Sequence, residues 1–552
     1  MITNKFLPSK LEQWSKYNYK ENIIWSTGLD IDVVKNHTKA LLNAIAINKS
    51  PHKIIKEFDT HFALIIINKK FLIAIVDCAR TYPIFWTKHK DYYLFSPQAD
   101  EINNITHYNI NKSQLLAFQM SGYTTYNNTL WNNIKSLDAG SFLFLNSNNK
   151  IKTEKYFEYN PWKFNSNKNI NYKFQLKIEF NKLLKKLINE ANGRTICIPL
   201  SAGLDSRLIA SGLKHLGHTN VKCFAYGKKN NYEAIASRKI AKKLNYQWKF
   251  CKINHFKMKL FFKTELYKSY VNKSNDGVST QGMQDIYVID QLLKNNFIGE
   301  NDIIVNGNSG DFISGGHIPK TINNNLNIYK FKTNSLSYDL KNILDMHIKK
   351  HYSLWGSLMS KKNIYILIDL FLQQLQQLNI KSNQAIYLHG ILEYLEFHNR
   401  QNKYVINLQR TYEFFKITWR LPLWNKDFID FWSDVPLDLK LNQKLYKETL
   451  KELNYGNVWT EEYDFPYRIT PKWIIPIRYL FKIFYIFSKK EKWHKFDKHF
   501  LNYWTDNVCG YSMFPYLEII KNKHNARNSV SWRTLQYEEI NLGNNWQKSK
   551  KE

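Results

Sequence analysis

The run Thr195-Ile196-Cys197-Ile198-Pro199-Leu200-Ser201-Ala202-Gly203-Leu204-Asp205-Ser206 passes from an apolar stretch into small polar residues, and Arg207-Leu208-Ile209-Ala210-Ser211-Gly212-Leu213 continues it with helical spacing. The pattern predicts a buried strand, a tight turn and a helix. Such a turn is suited to an anion. The first backbone N–H groups of a helix have no partner within it and carry partial positive charge, and small residues let a phosphate approach them. Ser201 and Ser206 add hydroxyl donors. Asp205 would repel a phosphate by itself and makes sense there if it holds a magnesium ion against it. Taken alone, an ordinary strand-to-helix turn with a Ser or Asp N-cap gives the same run. The lack of Gly-Lys-Ser/Thr argues against a Walker-type loop.

On either side the sequence alternates strand and helix. Residues 171–191 carry Phe174, Leu176, Phe180, Leu183, Leu184, Leu187 and Ile188 as an apolar stripe, with Gly193 as a stop. Val221 to Gly227 predicts a second strand and Tyr232 to Leu244 a second helix. This order argues for an α/β fold with a parallel, doubly wound sheet, whose ligand crevice lies at the carboxyl ends of the strands. Cys197 and Cys223 are then core thiols on adjacent strands. A later strand, 302–305, runs into Asn306-Gly307-Asn308-Ser309-Gly310-Asp311-Phe312-Ile313-Ser314-Gly315-Gly316-His317. Two carboxylates at strand ends, Asp205 and Asp311, are suited to share one or two magnesium ions bridging ATP phosphates. By itself the second segment also reads as a surface loop.

From residue 20 to about 155 the pattern is β-rich. Runs at 62–67, 71–76 and 92–95 are separated by polar turns such as Asn68-Lys69-Lys70, which predicts a layered antiparallel sheet domain. With 44% hydrophobic and 15% aromatic residues in 552, the chain is globular and long enough for several cores. The net charge of +33 comes mostly from dispersed Lys, with no Arg-rich block, which favours an anionic substrate or a membrane surface and argues against nucleic acid. Five scattered cysteines form no C-x-x-C pair, so neither a zinc site nor a disulfide framework is expected, and a cytoplasmic location is the default. No secretory signal or membrane span is expected.

The Ser201–Ser206 turn resembles the S-G-G-x-D-S pyrophosphate loop of the asparagine synthetase family, with Ala202 for the second Gly. The 306–317 segment resembles that family's S-G-E-G-A-D-E-L-F-G-G stretch, with Gly307, Asp311, Gly315 and Gly316 in register. Residues 58–63, 77–86, 129–140 and 155–157 are similar to pieces of the family's glutaminase domain, and 396–450 to its helical region. The resemblance spans roughly 55–465. It implies a degenerate class II glutaminase-like domain over 1–160, an ATP-pyrophosphatase synthetase domain over 171–465 and a helical extension over 466–552. Ser201, Gly203, Asp205 and Ser206 would hold pyrophosphate. Leu200, Tyr226, Asn306 and Gly307 would line the adenosine site, partly through backbone atoms, and Asp205 and Asp311 would be the catalytic, magnesium-binding pair.

The resemblance also implies the reaction: ATP adenylates a small-molecule carboxylate, pyrophosphate leaves, and ammonia or another amine attacks. Position 2 is Ile2 where the family's nucleophilic cysteine would stand, and Cys78, inside an apolar segment, is no substitute, so any glutaminase would be a separate partner. Asn308 replaces the carboxylate of the G-E-G segment and cannot act as a base, leaving Asp311 and His317 as the nearest candidates. The family's late lysine has no clear counterpart, with Arg468 and Lys472 nearby. Aspartate, a cell-surface sugar acid or another acid fits as substrate, and a degenerate binding or scaffold subunit is the non-enzymatic alternative. Finally, residues 473–487 are too short and charged to span a bilayer. They read either as an interfacial helix making peripheral membrane contact or as a docking helix with Arg478 and Lys482 solvated.

Overall fold

The computed structural model describes residues 5–537 apart from 10, 12–13, 48–49, 59, 149, 164–169, 323–327, 331–336, 379, 382–383 and 522–528. Ile2 lies outside the described residues. Toward the N-terminus lie two sheets, one of six strands running from Ser15–Tyr19 to Ile151–Lys155 and one of four centred on Phe85–His89 and Tyr92–Ser96. Their pairings are antiparallel except where the two-residue strand Lys5–Phe6 lies parallel to Tyr92–Ser96. Ala63–Ile67 and Phe71–Val76 are buried almost throughout, as their unbroken apolar runs require. Helices Ile31–Ala46, Ala99–Thr106 and Lys112–Ser121 also belong to this region, more helix than the β-rich reading anticipates.

The second sheet system is parallel. Its strands in chain order are Ile196–Pro199, Val221–Gly227, Gln247–Lys252, Ile303–Val305 and Thr418–Arg420, and across the sheet they lie third, second, first, fourth, fifth. All four pairings are parallel. The order reverses between the first and fourth strands, and at such a switch point the two flanking loops part and leave a crevice. Those loops are the two glycine-rich strand ends.

Before the sheet, helix Tyr172–Ala191 is capped by Asn171 and buries Leu176, Phe180, Leu183, Leu184 and Leu187. Phe174 is exposed, contrary to the expected stripe. It stands two residues from Leu176, about 200° around the helix, and faces away from the sheet. The N-terminal region is fastened to the helical region that follows: Lys403 Nζ donates to the Thr124 carbonyl at 2.9 Å and Arg80 donates to the Asn402 carbonyl at 3.0 Å. Among the described residues no helix is long and apolar enough to cross a membrane.

Candidate active site

The first strand delivers the chain to Ser201, and helix Leu204–His215 starts after Gly203, whose backbone is extended. The turn is braced by its own side chains: Ser201 N donates to Ser206 Oγ at 3.1 Å, Gly203 N donates to Ser201 Oγ at 3.0 Å, and the two hydroxyls are 3.2 Å apart. Asp205 and Ser206 thus sit in the first helical turn with the partial positive charge beside them. The fourth strand ends directly opposite. A Cβ on Gly307 would lie 2.6 Å from Ser206 N, and one on Gly310 would collide with the Asp205 carboxylate, so both glycines are demanded by close approach. Asp311 N closes the seam by donating to Asp205 Oδ2 at 3.0 Å.

Charge is graded along this seam. Burial first, and the neighbouring Asp311 second, raise the Asp205 carboxyl from its ordinary 3.8 to about 7, although Tyr446 Oη donates to its Oδ1 at 3.0 Å. Burial pushes Asp311 up as well, but His317 Nε2 at 3.1 Å and Phe312 N at 2.8 Å hold it below the usual range. His317 bridges onward, its Nδ1 lying 2.5 Å from Glu396 Oε1. Burial would lower the imidazole pKa, yet the two carboxylates lift it to about 9, so it is an imidazolium at neutral pH. Glu396 is buried within reach of His351 Nε2 at 2.8 Å, Gln401 Nε2 at 2.9 Å, and Lys350 and Arg400 at 3.4 Å each. Its contacts with His351 and His317 overcome the burial penalty and hold its carboxyl well below the usual range.

Two chambers open onto this seam. The first, about 490 Å³, is lined by Ser201, Gly203, Asp205, Ser206, Tyr226, Asn306, Gly307 and Asp311, which brings together every expected site residue but one. Leu200 is the exception: its side chain is buried in the core, because side chains alternate along a strand and Pro199 and Ser201 take the chamber side. At the far wall Asp285 receives Tyr226 Oη and Tyr412 Oη at 2.6 Å each, and Asn306 Nδ2 donates to Gln409 and Tyr412 at 2.8 and 3.0 Å. The second chamber, about 540 Å³, shares Gln284, Asn308, Ser309, Asp311 and Leu408 with the first and carries Lys350, Arg400 and Arg533. Asp311 is its one acidic lining residue among those described. Arg468 and Lys472 are exposed and line neither chamber.

The donor set suits a hard divalent cation. Among the described residues no three His, Cys, Asp or Glu side chains form a closed metal cage, so an ion at Asp205 and Asp311 would take its remaining ligands from phosphate and water, as magnesium does. A cation there would also favour the ionised form of Asp205.

Sequence reasoning missed Tyr446, Asp285, Tyr412 and the Glu396 cluster. Their partners lie far along the chain: Glu396 stands 79 residues from His317, and Tyr446 lies 241 from Asp205, so spacing carries no signal. Arg533 lies beyond the family resemblance altogether. Cys78 is buried, its thiol donating to the Trp424 carbonyl at 3.8 Å. It borders a cavity of about 30 Å³, room for roughly one water.

The switch point of the parallel sheet thus brings together a helix N-terminus, two glycine-rich strand ends and a carboxylate pair. Residues 191–458 match the asparagine synthase family model, which supports a synthetase domain of the ATP-dependent, amide-forming ligase type in this part of the chain. Glutamine phosphoribosylpyrophosphate amidotransferase from B. subtilis, solved with ADP and GMP, is similar at 11% identity over 43% of this chain and 72% of that one, with a TM-score of 0.17. No curated protein matches the chain.

Proposed function

We propose that the protein adenylates a carboxylic acid with ATP, releases pyrophosphate and passes the acyl group to ammonia or another amine, without hydrolysing glutamine itself. The observation that carries this reading is the shared wall of the two chambers, where Asn308, Ser309 and Asp311 separate a phosphate-binding turn from a cationic pocket.

The first-turn N–H groups with Ser201 and Ser206 receive the β- and γ-phosphates. Lys350, Arg400 and Arg533 draw the acid into the second chamber and aim one carboxylate oxygen at the α-phosphorus. That oxygen forms the new P–O bond as the bond to pyrophosphate breaks. A magnesium ion on Asp205 and Asp311 would neutralise the charge that gathers on the leaving pyrophosphate. The amine then attacks the acyl carbon, AMP leaves, and one proton must be removed. His317 cannot take it, because both ring nitrogens already face carboxylates and carry protons at neutral pH. Of the two candidates that leaves Asp311, which lines both chambers, although a depressed pKa makes it a weak base.

Lys350, Arg400, Arg533 and the His317 imidazolium, against the one lining acid Asp311 among the described residues, favour an acid with more than one anionic or polar group over aspartate, whose α-ammonium would need a carboxylate of its own. A sugar acid satisfies that charge pattern. The tight cavity at Cys78 supports the absence of glutaminase chemistry. The test is a panel of acids incubated with magnesium ATP and ammonium, following pyrophosphate and the amide by mass spectrometry. We expect a sugar acid or another polyanionic acid to be amidated and asparagine to form weakly or not at all. Fast, saturable asparagine production would overturn the substrate reading, and no pyrophosphate with any acid would overturn the ligase reading.

A further inference from the structure

Trp473, Ile477, Leu480, Phe484 and Phe487 recur at spacings of four and three along helix Ile474–Ile483 and the turn after it, the rhythm of a face normally turned to a core. Here that face looks outward: Leu480 is 59% exposed, Phe484 75% and Phe487 fully, with Tyr479, Ile483 and Ile486 exposed beside them. Scattered single apolar residues are normal on a surface, but a contiguous stripe of this size marks an interaction site. The helix is firmly held from behind. Ile474 is buried, Arg478 pairs with Asp497 and lies over the Trp493 ring, and Phe481 and Tyr485 meet Phe496 with ring centroids 5.1 and 5.3 Å apart. Arg478 is therefore not the solvated cation expected of a docking helix, and the docking stripe is narrower than the face left open.

Charge decides what covers this face. Residues 472–498 hold eight Lys or Arg against Glu491 and Asp497, and Lys472, Lys482, Lys489, Lys490, Lys492, Lys495 and Lys498 are exposed around the stripe. A second copy of a chain with net charge +33 would bring like charges together at the same patch. We propose that the stripe seats the protein peripherally on an anionic lipid bilayer. The aromatic and aliphatic side chains enter the headgroup region and the flanking lysines meet lipid phosphates. Trp473 and Tyr479 have the amphipathic rings that favour this depth. The inference stands independently of the ligase reading, although the same C-terminal region also supplies Val530 and Arg533 to the second chamber.

The test uses the full chain in flotation assays with vesicles of phosphatidylcholine, with and without phosphatidylglycerol. Binding is expected to need the anionic lipid and to weaken at high salt. The pair Phe484→Asp and Phe487→Asp should abolish flotation while leaving the melting curve and ATP binding unchanged. Each basic residue near an anionic surface is worth about fivefold in partitioning, so Lys489→Glu with Lys490→Glu should weaken binding at least about twenty-five-fold. Equal recovery with and without anionic lipid, flotation that survives the Phe484/Phe487 change, or light scattering showing a dimer that depends on those phenylalanines in place of flotation would each overturn the proposal.

Discussion

Asp205→Asn separates what the carboxylate does for the fold from what it does for the site. The folded protein lifts the Asp205 carboxyl from 3.8 to about 7 through burial and through Asp311. An acid raised in this way binds its proton more tightly folded than unfolded, so relative to a neutral side chain it costs nothing below about pH 4. The cost grows as pH climbs through the window and is constant above about 7. At 1.36 kcal/mol per pH unit the ceiling is about 4 kcal/mol. Asp205 retains part of its surface in water, and screening brings the expected figure to about 2 kcal/mol. Asparagine preserves both contacts, its Oδ1 accepting from Asp311 N and its Nδ2 donating to Tyr446 Oη, so little is lost in exchange. The ligand-free variant should therefore melt about 2–3 °C above the parent at pH 8 and level with it near pH 4, while magnesium-dependent ATP binding collapses. Differential scanning fluorimetry across pH with and without magnesium ATP is the assay. A variant less stable than the parent at pH 8, a difference that ignores pH, or undiminished ATP binding would refute the electrostatic reading of the site.

Other outcomes follow from the same geometry. Arg400→Gln or Arg533→Gln removes a charged donor from the second chamber, worth about 1.5–3 kcal/mol, so steady-state kinetics should show KM for the acid rising about ten- to hundredfold with KM for ATP unchanged. His317 is held protonated up to about 9 by Glu396 and Asp311. Its stabilising contribution is complete below its ordinary 6.5 and is lost as pH rises through about 9. The parent's melting temperature and its affinity for the acid should both fall across that alkaline limb, and His317→Gln should flatten the limb. Glutamate release from glutamine, followed by a coupled assay, should stay at background, and Cys78→Ala should leave it there.

How much of this was legible depended on how local each feature is. Val221–Gly227 is an apolar run interrupted only by Lys222, and its bounds were readable to the residue. Gln247–Lys252 escaped notice because it is the edge strand, where Gln247, Lys249 and Lys252 dilute the apolar signal. Thr418–Arg420 is only three residues long. The two glycine-rich strand ends stood out in the sequence, and in the fold close backbone approach accounts for the glycines at 307 and 310. The Leu200 side chain is in the core by strand alternation, which leaves only its backbone for the adenosine lining expected of it. The second chamber was invisible to sequence: Tyr123, Lys350, Arg400 and Arg533 come from separated segments and meet only in the fold. The outward apolar stripe was ambiguous for another reason, since its spacing is identical whether the face meets protein or lipid.

On the proposed mechanism, ATP is cleaved between its α- and β-phosphorus atoms at the turn Ser201–Ser206. Phosphorus-31 NMR of the products formed with magnesium ATP, ammonium and an amidated acid tests it most directly. AMP and pyrophosphate should appear in equal amounts in the parent and be absent with Asp205→Asn. ADP and inorganic phosphate, or AMP production indifferent to Asp205, would contradict the account.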